Sequence, residues 1–211
     1  MVSVTRRPNS GGNRRGEVES QLIAATERLL AEGTRFTELG VQRIAEAAGV
    51  ARSTFYLHFP DKTALLLRLA TTFQYRSFAL VSGWQGTGDG GGGLDELVAL
   101  YEAVLRLHRD HFPVLAAIDE AMAYDDEVRR VWESQLEQFA TAASDRLARD
   151  QAAGLIPADL DRTAAVRVIV WGGYRAITQH IAGDDGTGDA AFARELANIM
   201  WFGAFRRPRH T

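Results

Sequence analysis

Apolar residues recur along this chain at helical spacing, and no alternating strand pattern appears anywhere. Between Val41 and Ala48 they fall at Val41, Ile44, Ala45 and Ala48, the i, i+3, i+4, i+7 stripe of a short helix with one buried side. Gly49 follows the last of them, where a helix commonly ends in a left-handed conformation that a residue without Cβ adopts cheaply. Val50 then plugs the turn. Phe55 and Phe59, four apart, mark the inner face of a second short helix over about Arg52 to His58. Ala45, four residues before Gly49, is small enough for the two helices to cross at the steep angle of a helix-turn-helix.

The same periodicity predicts a helix over Glu17 to Glu32, with Leu22, Ala25, Leu29 and Leu30 on one side and Gly33 as its stop. Phe36 and Leu39 staple its connection to the helix-turn-helix. A helix capped by Asp61 runs through Leu65, Leu66, Leu69 and Phe73 to about Ser82. Further helices are expected at about Leu94 to Arg109, Pro113 to Tyr124, Asp126 to Ala153, Leu160 to Ala182 and Asp189 to Phe205. The glycine-dense stretch Gly83 to Gly93 reads as a linker, since no strand precedes it and no Gly-Lys-Ser/Thr follows to cradle a phosphate. The expected class is therefore all-α. Its organisation is an N-terminal three-helix helix-turn-helix domain at residues 17–66 and a C-terminal helical regulatory domain at 67–211.

The inner aromatics of the second short helix leave Arg52, Ser53, Thr54, Tyr56 and His58 outside. Arg pairs bidentately with guanine, Ser and Thr reach base edges or phosphates, and Tyr and His reach phosphate oxygens, so this set suits a DNA-reading helix. Gln42 and Arg43 on the preceding helix extend it, and Lys62, at the positive start of the next helix, adds a candidate phosphate contact. Each residue alone also fits a solvated polar face. Their conjunction with the small residue, the turn glycine and the inner aromatics is what points to DNA.

These residues resemble the tetracycline-repressor (TetR) family of transcriptional regulators. The resemblance is carried by Ile44-Ala45, Ala48-Gly49-Val50, Thr54-Phe55-Tyr56, His58-Phe59 and Asp61-Lys62, within about Glu17 to Leu66. The Phe-Tyr and Phe-Pro pairs lean toward the branch of the ethionamide-resistance repressor. Two positions depart from the family pattern: Gly40 and Ala51 stand where capping hydroxyls are usual. Losing such a cap costs roughly 0.5–2 kcal/mol with Ala and less with Gly, so a slightly looser reading helix is expected.

Composition sharpens the picture. The 211 residues, 46% hydrophobic and 24% charged, suffice for a sizeable core in one or two soluble domains. There is no cysteine, hence no disulfide framework or thiolate chemistry. No apolar run is long enough for a membrane span, and no signal-peptide hydrophobic region opens the chain, so a cytoplasmic protein is expected. The formal charge of −3 hides an asymmetry, because residues 1–62 carry nine basic against seven acidic side chains and the remainder 15 against 20. The basic end is the proposed reading end. Met1 to Gly16 holds Arg6, Arg7, Arg14 and Arg15 with Pro8, Gly11, Gly12 and Gly16 and no acid, and is expected to be a flexible basic arm, either inert or in contact with DNA.

His108 and His111 are spaced to share a metal, but no third ligand follows, and His near a helix C-terminus is favoured electrostatically in any case. Gly183 to Asp189 lacks the ligand spacing of a calcium loop. No nucleophile elbow or triad context is present, so neither an enzyme nor a cofactor or metal is expected.

Aromatic residues concentrate in the C-terminal half, where they serve as core or line a cavity. In the resembled family the C-terminal helices enclose an apolar inducer pocket. The corresponding lining here is Tyr101, Trp132, Leu136, Phe139, Val170, Trp171, Tyr174, Ile177 and Thr178. Ala164 to Ile181 is apolar around most of its circumference, Gly172 and Gly173 permit a close approach or a bend, and Trp201 and Phe202 supply anchors. The family pairs its last two helices in a homodimer, and a two-fold dimer implies an approximately palindromic operator. The expected function is a ligand-responsive regulator, in the first place a repressor, with double-stranded DNA, a small mostly apolar effector and a second copy as partners, and no membrane. An activator, a ligand-independent DNA binder, and an all-α enzyme or carrier that has lost DNA binding are the alternatives.

Overall fold

A computed structural model describes residues 10–84 and 93–205, the side chains from residue 14 onward, and among these every regular element is helical. The helices are α1 (Ser10–Ala31), α2 (Val41–Ala47), α3 (Arg52–His58), α4 (Lys62–Gly83), α5 (Leu94–Asp110), α6 (Phe112–Met122), α7 (Asp126–Ala152), α8 (Arg162–Arg167), α9 (Gly173–Gly183) and α10 (Asp189–Met200). A π-helical turn, Val168–Gly172, joins α8 to α9 without a break, and a second, Trp201–Phe205, extends α10.

Local chemistry sets most of the boundaries. Gly49 takes φ +70° between α2 and α3, the backbone that the sequence requires of it. Asp61, Asp125 and Asp161 accept hydrogen bonds from the first-turn amides of α4, α7 and α8. Gly40 and Ala51 make no side-chain cap. The Asp161 cap also starts α8 two residues later than the apolar pattern suggests, since it fixes Arg162 as the first helical residue.

The expected arm is shorter than residues 1–16, because Ser10 to Gly16 already belongs to α1. The packed half of that helix, buried through Leu22, Ala25 and Leu29, supplies the nucleus, so extending it toward the N-terminus needs only propagation. Residues 1–9 and most of the glycine-dense linker, 85–92, lie outside the described residues.

The head consists of α1, α2 and α3 closed by the start of α4. Phe36, Leu39, Ile44, Phe55 and Leu65 are essentially inaccessible there. This core does not stop at the head: Val114, Leu115, Ile118 and Ala121 of α6 and Trp132 of α7 belong to the same cluster. A second cluster fills the far end, where α5 packs on α9 and α10 around Leu105, Leu147, Ile177 and Ala197. Helices α4 and α7 run side by side in the same direction, as Phe73 meets Trp132, Phe78 meets Phe139 and Trp84 meets Arg146 in succession. Between them and α5 and α9 the packing is left open.

Candidate nucleic-acid interface and effector cavity

On α3, Phe55 is buried and packs edge-on against Tyr56 and tilted against Phe59, with ring centroids 5.6 and 5.9 Å apart. That anchoring turns Arg52, Ser53 and Tyr56 outward, all exposed, with Thr54 half-buried beside them. The Arg52 guanidinium lies 5.7 Å from the centre of the Tyr56 ring and donates to its hydroxyl at 3.3 Å, so the two side chains are held as one unit. On α2, Gln42 and Arg43 are exposed, and Gln42 donates to Glu46 at 2.6 Å. Arg28 of α1 donates to the Ala47 carbonyl at 2.9 Å and so steadies the end of α2.

Two expected members of this face behave differently. His58 is half-buried, and its Nδ1 is enclosed with no protein partner, so only part of the ring faces outward. Lys62 turns back: its ammonium donates to the carbonyls of Phe36 and Thr37 at 2.7 and 3.1 Å and sits over the Phe36 ring. Burial lowers its pKa, against the opposing pull of Glu120. Lys62 therefore clamps the α1–α2 connection with two of the three donors of its ammonium. One exposed residue escapes the pattern reading: Leu57, 74% exposed, is an apolar side chain on the same helix, α3, as Arg52 and Tyr56.

The other side of that clamp comes from α6. The Glu120 carboxylate accepts from the backbone amides of Phe36 and Thr37 at 3.2 and 3.1 Å and from the Thr37 hydroxyl. Burial would raise its pKa, but the Thr37 and Phe36 hydrogen bonds outweigh this and hold it below the ordinary value. Nothing in the local sequence around Glu120 marks this role, because its partners lie more than eighty residues away. Its neighbour Asp119 accepts from the Tyr174 hydroxyl at 3.3 Å and lies 3.9 Å from Arg175. A short stretch of α6 thus touches the head through one carboxylate and α9 through the next.

Tyr174 also forms part of a cavity of about 290 Å³ between α4, α5, α7 and α9. Of the nine expected lining residues, Tyr101, Trp132, Leu136, Phe139, Val170, Tyr174 and Ile177 border it. Trp171 and Thr178 do not. Trp171 faces a separate, more polar groove with Glu137, Thr141 and Arg167, and Thr178 is buried with its hydroxyl donating to the Arg175 carbonyl. The residues of this segment that do border the cavity, Ile169, Val170, Gly173, Tyr174 and Ile177, fall on one face of a continuous helical period, and Trp171 and Thr178 lie beside that face. Ile169 and Gly173 face the cavity in their stead. An added Cβ at Gly172 or Gly173 would meet only ordinary contacts at 3.8 and 3.9 Å, so these glycines mark the irregular turn and not a close helix crossing.

The cavity is apolar at its inner end, where Phe73, Trp132 and Tyr174 meet. His108 borders it there, edge-on to Phe73 and with Nδ1 2.8 Å from the Val104 carbonyl; burial brings its pKa down to about 4 and keeps it neutral. His111 instead faces Arg76 at 3.2 Å, so the two histidines do not converge on a common point. A third histidine, His180, lies with Asp184 and Asp189 near one point. Arg109 fills the cationic place there, donating to Asp189 at 2.6 and 3.0 Å and to the Asp184 carbonyl at 2.7 Å. This network fastens the α9–α10 loop to α5. Among the described residues no helix is long and apolar enough to cross a membrane.

Residues 22–69 match the family of bacterial regulatory proteins described as the tetR family. Over 70 residues the chain is 40% identical to the HTH-type transcriptional regulator EthR of Mycolicibacterium smegmatis, covering 32% of each protein. The aligned part thus spans about a third of that relative. The HTH-type transcriptional repressor Rv1474c of Mycobacterium tuberculosis is 28% identical over 154 residues, 68% of this chain and 76% of its own length. Among solved structures, the fatty acid degradation regulator FadR from Bacillus halodurans superposes with a TM-score of 0.70 over 96% of this chain and 100% of its own, at 21% identity, which shows the shared fold.

Proposed function

Through its helix-turn-helix the chain belongs to the tetR family, on the side of the ethionamide-resistance repressor, and from that premise we propose that it is a cytoplasmic transcriptional repressor released from DNA by a small molecule. The observation that carries this reading is the joint between its two working parts: α6 holds the head through Glu120 and the cavity wall through Asp119. In this reading Arg52, Ser53, Thr54 and Tyr56 read or flank base edges, with Leu57 against a thymine methyl. Gln42, Arg43 and the outer edge of His58 contact backbone phosphates. Lys62 fixes the loop beneath the head and keeps one ammonium donor for a backbone phosphate.

The large apolar side chains left exposed on the last helices are Val168, Ile199 and Phe202. They form the natural seam for a second copy, and a two-fold dimer presents two reading heads to successive major grooves. A ligand that fills the cavity and moves Tyr174 shifts α6 and with it the spacing of the heads. It acts as an inducer only insofar as it binds the released state more tightly than the DNA-bound one.

A gel shift on the DNA flanking the protein's own gene, repeated over a salt series, tests the reading. A sequence-preferring complex that weakens steeply with salt supports it. Equal, weak binding to every duplex would leave an all-α carrier as the better description. In sedimentation, the double variant Ile199→Glu, Phe202→Glu should run as a monomer and lose most operator affinity; a stable dimer would place the seam elsewhere.

A further inference from the structure

We propose that the effector is an amphiphile with an anionic head, its apolar chain lying along α4 and α7 and its head at the Arg146 and Arg149 end of the cavity. This deepens the reading of the cavity as an effector site and rests on it. The cavity is strongly polarised along its length. Its inner end is closed by Phe73, Trp132 and Tyr174, with neutral polar groups only. At the other end Arg146 and Arg149 border it together with Trp84 and Phe205. These two arginines are the charged residues of the lining, and no carboxylate borders the cavity among the described residues.

Arg146 is built into that end. Its guanidinium stacks 4.6 Å from the centre of the Trp84 ring and donates to the Trp84 carbonyl at 3.1 Å, which fixes its direction. Among the described residues, Asp150 stands 3.9 Å from it. Burial lowers the pKa of Arg146, Asp150 opposes this, and the nearby Arg149 adds to the lowering. An anion placed between the two arginines relieves both penalties, whereas a cation adds to them. Arg149 is exposed, so this end meets solvent and a charged head need not be stripped of all its water. From Trp132 to Arg149 the wall supplied by α7 is about 25 Å long at 1.5 Å per residue, which suits an extended chain better than a compact ring system.

The test titrates the full-length protein with dodecanoate, dodecyl phosphate, dodecanol and dodecylamine at fixed ionic strength, following quenching of Trp84 and Trp132, both of which border the cavity. A charge-assisted hydrogen bond predicts that at least one of the two anions binds roughly tenfold or more tightly than dodecanol, with dodecylamine weakest. Preference for dodecanoate identifies a carboxylate head and preference for dodecyl phosphate a phosphate-bearing one. Arg149→Gln should close the gap between the anions and dodecanol, and Arg149→Lys should retain most of it. Dodecanol or dodecylamine binding as tightly as both anions, or an Arg149→Gln variant that keeps the full gap, overturns the proposal. Leu136→Trp separates this from the cavity reading itself. If all four probes bind alike and Leu136→Trp, still folded by its melting curve, abolishes them, the cavity stands and the anionic head falls. Binding of all four that survives Leu136→Trp removes the cavity as well.

Discussion

The reading head and the helical module behind it are built from the same kinds of residue packed to opposite ends. In the head, Phe36, Leu39, Ile44, Phe55 and Leu65 are almost completely inaccessible, and α2 and α3 are short, regular helices of 7 residues each. In the module, Trp132, Phe139, Tyr101 and Tyr174 surround empty space, two helices contain π turns, and the indole N–H of Trp84 is buried without an acceptor among the described residues. A head that must present fixed side chains to a fixed groove gains from dense packing, because every missing contact is a degree of freedom. A module that must admit a ligand gives up part of that density. The difference shows how one chain divides its stability between holding a shape and leaving room.

The largest effect that could break this contrast is on stability. Phe55→Ala should cost about 3–5 kcal/mol in denaturant unfolding, as full burial of a phenylalanine implies. Phe139→Ala, half-buried and facing the cavity, should cost less than half as much while enlarging the space for ligands. Equal costs would mean that the cavity is as tightly packed as the head in solution.

A somewhat smaller effect separates the two regions by pH. His108 borders the cavity with a pKa lowered to about 4 by burial, while the unfolded residue titrates near 6.5. Its contribution is fully present above pH 6.5 and is lost as the pH falls toward 4, because the unfolded chain takes up a proton that the folded one refuses. Melting temperatures of wild type should drop across that window, and His108→Leu should flatten the drop. A His108→Leu curve parallel to that of wild type would move the titration to another group.

The joint between the regions offers the next test. Glu120→Gln keeps the shape of the side chain but removes the charge that accepts three hydrogen bonds from Phe36 and Thr37, so roughly 1–3 kcal/mol of stability should go. Operator affinity should change as well, though residue 120 is on a helix away from the reading face. If affinity and ligand response both stay as in wild type, α6 is not the link.

The two regions were also legible in the sequence to different degrees. The helix-turn-helix was readable because its determinants are local: Gly49 supplies the positive φ, Ala45 the close crossing, and Phe55 and Phe59 the inner face. The cavity lining came only from the resemblance, and on the α8–α9 segment Trp171 and Thr178 fall beside the lining face while Ile169 and Gly173 lie on it. The second role of Lys62, holding the carbonyls of Phe36 and Thr37, was not legible because those residues lie some 25 positions away. Glu120 carries no local signal at all, since its whole role is tertiary. Arg146 and Arg149 were not among the expected lining residues, and they reach the cavity from the last turns of α7.

The central claim is that the outer face of α3 reads DNA sequence. Its most direct test is anisotropy competition, at one fixed salt concentration, between a duplex from the flanking promoter and a scrambled duplex of the same length, for wild type and Arg52→Ala. The account predicts a clear preference for the promoter duplex in wild type and a loss of roughly 1–3 kcal/mol of that preference in Arg52→Ala, with the affinity for scrambled DNA changing little by comparison. An Arg52→Ala protein that discriminates as well as wild type, or a wild type that does not discriminate at all, would contradict it.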